Sequence, residues 1–210
     1  MSAAPRVVCF DLGGVVVRIC GSFREGCDAA GVTPAVDLDR ELDLAALSAI
    51  VHGHQSGDLA CDDFHDRVSR LAGGRVSAAE LRRVHDAWIL GEYDGMAELL
   101  EELHGAGIET ACLSNTNPSH WRAMRGMPAF DRIRHRHASH LLRLCKPDPR
   151  IFRAFERETG FETGSILYFD DLVPNVLAAA NAGWRAELVD PNRPTVPQVR
   201  AALRRHGVPA

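Results

Sequence analysis

The chain has no apolar run that approaches the ~20 residues needed to span a bilayer: Val7–Phe10 and Val15–Val17 are short and end in polar or turn residues. It also has little that reads as a secretory signal. Met1 to Arg6 carries one Arg, and the apolar stretch behind it is broken by Asp11, Gly13 and Gly14. A cytoplasmic protein with no membrane partner is therefore expected. Its six cysteines (Cys9, Cys20, Cys27, Cys61, Cys112, Cys145) form no C-x-x-C pair, so reduced thiols are expected, with Cys9 and Cys112 inside buried strands. A basic excess is missing too: 24 Lys+Arg stand against 28 Asp+Glu, a formal charge of −4. Nucleic acid therefore drops out as a partner. What is present is 210 residues, 46% hydrophobic and 25% charged, enough to bury a core without disulfides or a structural metal.

Arg6 to Phe10 is a continuous apolar strand stopped by Asp11 and then Gly13-Gly14, the pattern of a strand buried on both faces of a parallel sheet. From about residue 17 to 91 the signals are helical: Leu42, Leu44, Leu47 and Ile50 recur at near-helical spacing, and Ser77-Ala78-Ala79-Glu80 is a capping box. No strand is expected in that segment, which reads as a small inserted helical domain or lid. Alternation then resumes. A helix through Met96–Leu103 leads to a strand at 107–113, a third strand follows at 165–169, a helix at 174–182, a strand at 185–189 and a last helix at 195–205. Strands alternating with helices predict a doubly wound, Rossmann-like three-layer α/β core, with its site at the carboxyl ends of the strands. The expected division is a core of residues 1–16 and 93–210 and a helical cap of residues 17–92.

Those strand ends carry Asp11, Ser114-Asn115 and Asp170-Asp171. Three carboxylates at one edge repel unless a cation neutralises them, and Mg²⁺ suits such a sparse oxygen site. Asp11-Leu12-Gly13-Gly14-Val15, Leu113-Ser114-Asn115-Thr116-Asn117, Lys146-Pro147-Asp148-Pro149 and Tyr168-Phe169-Asp170-Asp171 with Asn175 occur in order at these ends. Together they resemble the four signature motifs of the haloacid dehalogenase superfamily. The likeness covers about two-thirds of the chain, and the insertion is similar to the C1-type cap of that superfamily. The paired aspartates, Asn175 and Gly13 resemble most the branch of sugar-1-phosphate phosphatases and of the epoxide hydrolase N-terminal phosphatase domain.

The resemblance implies a Mg²⁺-dependent phosphatase acting on a small phosphorylated metabolite, a sugar phosphate being the first expectation. Asp11 would attack phosphorus and form an aspartyl-phosphate. Asp11, the Gly13 carbonyl, Asp170 and Asp171 would surround the metal, with Asp170 acting through water. The Ser114 hydroxyl and the Asn115 backbone N–H would bind phosphoryl oxygens beside Lys146, and Asn175 would orient the acidic loop. The oligomeric state is not legible in the sequence.

One position departs from the pattern. Most phosphatases of the superfamily carry an acid two residues after the nucleophile, whereas this chain has Gly13. Three explanations remain open: a leaving group that departs with little protonation, such as the anomeric oxygen of a sugar 1-phosphate or an acyl phosphate; an acid from the cap; or lost activity. His52 and His54, sharing a face if that segment is extended, and Asp58 are the cap candidates, with His54 a substrate-binding residue. His135, His137 and His140 have a spacing that could bind zinc, although a solvated loop is expected there. Phe23, Trp88 and Tyr93 either fill the helical core, the favoured reading, or line a pocket. The competing functions are a metal-free haloacid dehalogenase and a catalytically weak binding or regulatory protein of the same fold.

Overall fold

The computed structural model describes residues 4–209. Val7–Phe10 forms β1, and all four residues are buried. Val8 and Phe10 enter one apolar layer with Met96, Leu99, Leu103 and Leu203. Val7 and Cys9 enter the opposite layer with Ile151, Phe152, Phe155 and Trp184. That two-residue alternation leaves β1 no solvent face, which is why its sequence reads as an unbroken hydrophobic run.

Beyond the turn after Asp11 the chain forms β2 (Val17–Ile19), then α1 (Phe23–Ala30), α2 (Leu38–Glu41), α3 (Leu44–Gln55), α4 (Cys61–Leu71), α5 (Ala78–Asp86) and β3 (Ile89–Glu92). Contrary to the all-helical reading of this segment, β2 and β3 pair antiparallel. With three and four residues they are too short to show a period in sequence. They tie the two ends of the insertion together where it leaves the core. The helices bury their own cluster, including Phe23, Cys27, Leu38, Val68, Leu81 and Val84. The capping box is present: Glu80 N donates to Ser77 Oγ, and Ser77 N donates to Glu80 Oε2.

The core continues through α6 (Met96–Gly105), β4 (Glu109–Ser114), α7 (Pro118–Ala123), α8 (Pro128–Arg132), β5 (His135–Ala138), α9 (Ser139–Leu142), α10 (Pro149–Thr159), β6 (Ile166–Asp170), α11 (Val173–Asn181), β7 (Arg185–Leu188) and α12 (Thr195–Arg205). The five strands of the main sheet lie in the order β5-β4-β1-β6-β7, and every pairing is parallel. This is the Rossmann-like α/β layer expected, with helices on both faces. Strand order reverses at β1: β4 lies on one side and β6 on the other, so the tips of these three strands bound the crevice where such sheets bind ligands. Among the described residues no helix is long and apolar enough to cross a membrane.

Candidate active site

Asp11 directly follows β1, and its backbone N–H is held by the Phe169 carbonyl at 2.7 Å. Its Oδ1 accepts from the Leu12 N–H at 2.7 Å and lies 3.1 Å from Lys146 Nζ. Oδ2 is left to meet something else. Oxygens of Asp11, Asp170 and Asp171 all fall within 4.8 Å of one another. One ammonium serves this group. The Lys146 side chain is wholly buried, with Nζ 2.7 Å from Asp170 Oδ2 and donating to the Tyr168 hydroxyl at 2.7 Å. Burial pulls the ammonium down, yet Asp11 and Asp170 together hold it above its ordinary value, so it stays charged. The carboxylates are short of positive charge: burial, only partly offset by Lys146, raises Asp11 to about 6, and burial with Asp11 and Asp170 nearby raises Asp171 to about 7.

The two adjacent acids differ sharply. Asp170 is fully buried, and both its oxygens are taken: Oδ1 by Leu172 N at 2.8 Å and Asn175 Nδ2 at 3.0 Å, Oδ2 by Lys146, the Tyr168 hydroxyl and Asn175 Nδ2. Asp170 therefore anchors Lys146. Among the described residues the Asp171 carboxylate meets no side-chain donor, only its own backbone N–H. Gly14, at φ +76°, lets the first loop pass against it: a Cβ there would lie 2.5 Å from Asp171 Oδ2, so only glycine fits.

Ser114, at the tip of β4, is buried with its flank on a cavity. Asn115 does more than present a backbone N–H. Its side chain clasps the Lys146 backbone from both sides, Nδ2 donating to Lys146 O and Oδ1 accepting from Lys146 N, each at 2.8 Å. Asn175 Nδ2 donates to both oxygens of Asp170, at 3.0 and 3.1 Å. Tyr168 was not anticipated as a site residue. Its signal is its place in Tyr168-Phe169-Asp170, since residues two apart on a strand share a face.

A cavity of about 280 Å³ lies between the core and the helical insertion, lined on the core side by residues that include Leu12, Gly13, Ser114 and Asn115. Its far wall includes Phe23, Val51, Phe64, Val68, Val84 and Trp88. Phe23 and Trp88 thus both pack the helical cluster and face the cavity, whereas Tyr93 donates to the Pro191 carbonyl at 2.9 Å. His54, His85 and His120 lie at the boundary between insertion and core. The rings of His85 and His120 stack at 4.0 Å.

A family model described as haloacid dehalogenase-like hydrolase matches residues 5–183. The chain belongs to this family. Among curated relatives of this haloacid dehalogenase-like hydrolase, a phosphatase of Mycobacterium tuberculosis is 31% identical over 131 residues, 61% of this chain and 60% of that protein. Acyl-CoA dehydrogenase family member 10 of Mus musculus is 24% identical over 205 residues, 94% of this chain but 19% of that protein. The chain thus spans only part of both relatives. A haloacid dehalogenase family enzyme of Bacteroides thetaiotaomicron superposes with TM-score 0.78 at 19% identity, covering 94% of this chain and 100% of that one. The same enzyme in complex with magnesium and inorganic phosphate gives 0.70 at 18%, covering 90% and 96%. At these identities the likeness establishes the fold.

Several sequence candidates of this haloacid dehalogenase-like hydrolase lie elsewhere. His52 and His54 do not share an extended face, because 44–55 is helical and residues two apart on a helix point to different sides. His54 is buried, borders the cavity and pairs with Cys61 Sγ at 3.3 Å. Asp58 is bound by Arg143 on the surface. The zinc-like spacing of 135–140 makes no cluster: His135 pairs with Glu109, His137 with Glu158, and His140 with the Thr116 carbonyl. All six cysteines are free thiols, and Cys9 and Cys112 are buried in strands.

Proposed function

We propose that this protein is a Mg²⁺-dependent phosphatase that hydrolyses a small phosphorylated metabolite through an aspartyl-phosphate on Asp11, with residues 17–92 acting as a cap over the core of 1–16 and 93–210. The observation that carries this reading is the contrast between Asp170 and Asp171. One is saturated by Lys146, Tyr168, Asn175 and Leu172, while the other lies in the same cluster and, among the described residues, forms no ion pair with a Lys or Arg. An unpaired carboxylate beside two others is unfavourable unless a cation joins them. The donors are all oxygens and few, which fits Mg²⁺ better than a softer metal. Asp11, the Gly13 carbonyl and Asp171 would hold it, with Asp170 behind. Bound there, the ion would neutralise the cluster and allow a phosphate dianion to approach.

The chain's own residues then divide the work. Asp11 Oδ1 is fixed by Leu12 N and Lys146, which orients the carboxylate for in-line attack on phosphorus. Lys146, held by Asp170 and clasped by Asn115, offers its charge to the transferring oxygens, and the Ser114 hydroxyl and Asn115 N–H donate to them. Water then releases phosphate from Asp11. A dehalogenase that displaces halide from carbon needs no metal, so the clustering of Asp170 and Asp171 beside Asp11 favours the phosphatase. The test is phosphate release from acetyl phosphate and p-nitrophenyl phosphate. It is expected to require Mg²⁺, to stop with EDTA and to vanish in Asp11→Asn. Halide release from 2-haloacids without metal, or no turnover of any ester, would overturn it.

A further inference from the structure

We propose, building on the phosphatase reading, that the group released from phosphate is apolar and leaves without being protonated: the substrate is an acyl or aryl phosphate with a hydrophobic body, and not a sugar phosphate. The first observation is the cavity between the insertion and a core side that includes Leu12, Gly13, Ser114 and Asn115. Aliphatic and aromatic side chains dominate its wall, among them Phe23, Val51, Phe64, Val68 and Trp88. Its imidazoles and its carboxylate already have partners. His54 is paired with Cys61 at 3.3 Å. His85 is paired with Asn117 at 3.2 Å and Ser119 at 3.4 Å, and His120 with the His85 carbonyl at 2.8 Å. Asp39, the charged side chain at the wall, accepts from the Phe23 N–H at 2.6 Å. A polyol reaching the apolar wall of Phe23, Val51, Phe64, Val68 and Trp88 would bury hydroxyls against carbon, at a cost of roughly tenfold in binding for each one left unpaired.

The second observation concerns the missing acid. At position 13 a carboxyl is not merely absent: an added Cβ would meet Ile19 Cδ1 at 2.9 Å, and Ile19 itself lines the cavity. The nearest neighbour of position 13 is thus a terminal methyl, so the surroundings of the missing acid are apolar. The imidazoles nearby supply no replacement. Burial and the neighbouring histidines lower His54 to about 4 and His85 to about 2, so both are neutral and weak proton donors at neutral pH. A leaving oxygen that is weakly basic needs none. In the first step the Asp11 oxygen forms a bond to phosphorus while the P–O bond to the leaving group breaks, and the electron pair departs on a carboxylate or phenolate. In the second, water adds across the Asp11–phosphorus linkage, which is itself an acyl phosphate. Asp11 is regenerated as its carboxylate, and the proton leaves with inorganic phosphate.

Kinetics with acetyl, butanoyl, hexanoyl and octanoyl phosphate, all with Mg²⁺, test the cavity. The expected result is a rise in kcat/KM of about threefold per methylene until the cavity is filled, with glucose 1-phosphate and glucose 6-phosphate far below hexanoyl phosphate. Binding of the matching alkylphosphonates, followed through Trp88 fluorescence, should show the same slope without turnover. In Val68→Phe the octanoyl-to-acetyl ratio should fall. A set of substituted phenyl phosphates should slow steeply as leaving-group pKa rises, and comparison of the best phenyl and acyl substrates decides between the two sources. Preference for hexose phosphates, no dependence on chain length, or rates independent of leaving-group pKa would overturn the proposal while leaving the phosphatase reading intact. If acetyl and p-nitrophenyl phosphate are both inert, the phosphatase reading fails and takes the substrate class with it, even where phosphonates bind.

Discussion

An ammonium with no exposed surface stays charged only if acids surround it, and Lys146 has two, at 2.7 and 3.1 Å. Its position depends on the Asn115 side chain, 31 residues away, which holds its backbone on both sides. Asn115→Ala should lower kcat by ~10–100-fold by letting Lys146 drift, with KM and melting temperature changing much less; steady-state kinetics beside a thermal scan checks it. Gly14 belongs to the same scale. In Gly14→Ala the methyl would collide with Asp171 Oδ2, 2.5 Å away, at a φ of +76°. The Mg²⁺ concentration for half-maximal activity should rise at least ~10-fold, measured by metal titration. Asp11, Ser114 and the acidic pair were legible because each sits at a strand tip in a short ordered motif, and Lys146, in the loop between α9 and α10, because it opens the third motif in order. The clasp by Asn115 and the hydroxyl of Tyr168 were not, since a hydrogen bond between distant segments leaves no local pattern.

At the scale of elements, α4 carries an unusual residue. His65 is 2% exposed, and neither ring nitrogen has a hydrogen-bond partner. A buried polar group left unpaired costs roughly 1–3 kcal/mol, so His65→Leu should stabilise the protein by about 1 kcal/mol or more, read as a higher melting temperature. The same residue belongs to a group that sets the pH dependence. Burial lowers His54, His65, His85 and His120 below the ordinary value of 6.5. An unfolded chain takes up protons near 6.5 while the folded one resists. The stability these residues contribute is therefore complete above about pH 6.5 and lost as pH falls toward about 4. Raised carboxylates at the strand tips act in the opposite direction, so the diagnostic quantity is a difference: the melting-temperature advantage of His65→Leu over the parent should widen between pH 7.5 and 5. Most element types were readable from the 2.0 and 3.6 periods. β5 escaped because His135-Arg136-His137 is a polar edge strand, and β2 and β3 because they are too short to repeat.

For the whole molecule, polar contacts join the insertion to the core at His85, Glu92, Gln55 and Asp58. Ser139 Oγ reaches the Gln55 carbonyl at 2.6 Å and accepts from the Thr116 N–H at 2.9 Å, so one hydroxyl links helix α3 to the loop after β4. Ser139→Ala should cost about 1 kcal/mol of stability and speed protease cleavage near residue 57, with activity falling severalfold as the insertion seats less well. Limited proteolysis with a rate assay checks both. The sequence alone determined that the chain forms a parallel α/β sheet with a helical insertion and that three acids, a serine and a lysine gather at its tips, because strand runs, caps and motif order are local properties of the chain. Only the tertiary structure decided that Lys146 pairs with Asp11 and Asp170, that a methyl of Ile19 lies beside Gly13, and that the cavity wall is mostly apolar. Those are contacts between segments tens of residues apart, and a linear pattern of residue types carries no record of which side chains have already found partners.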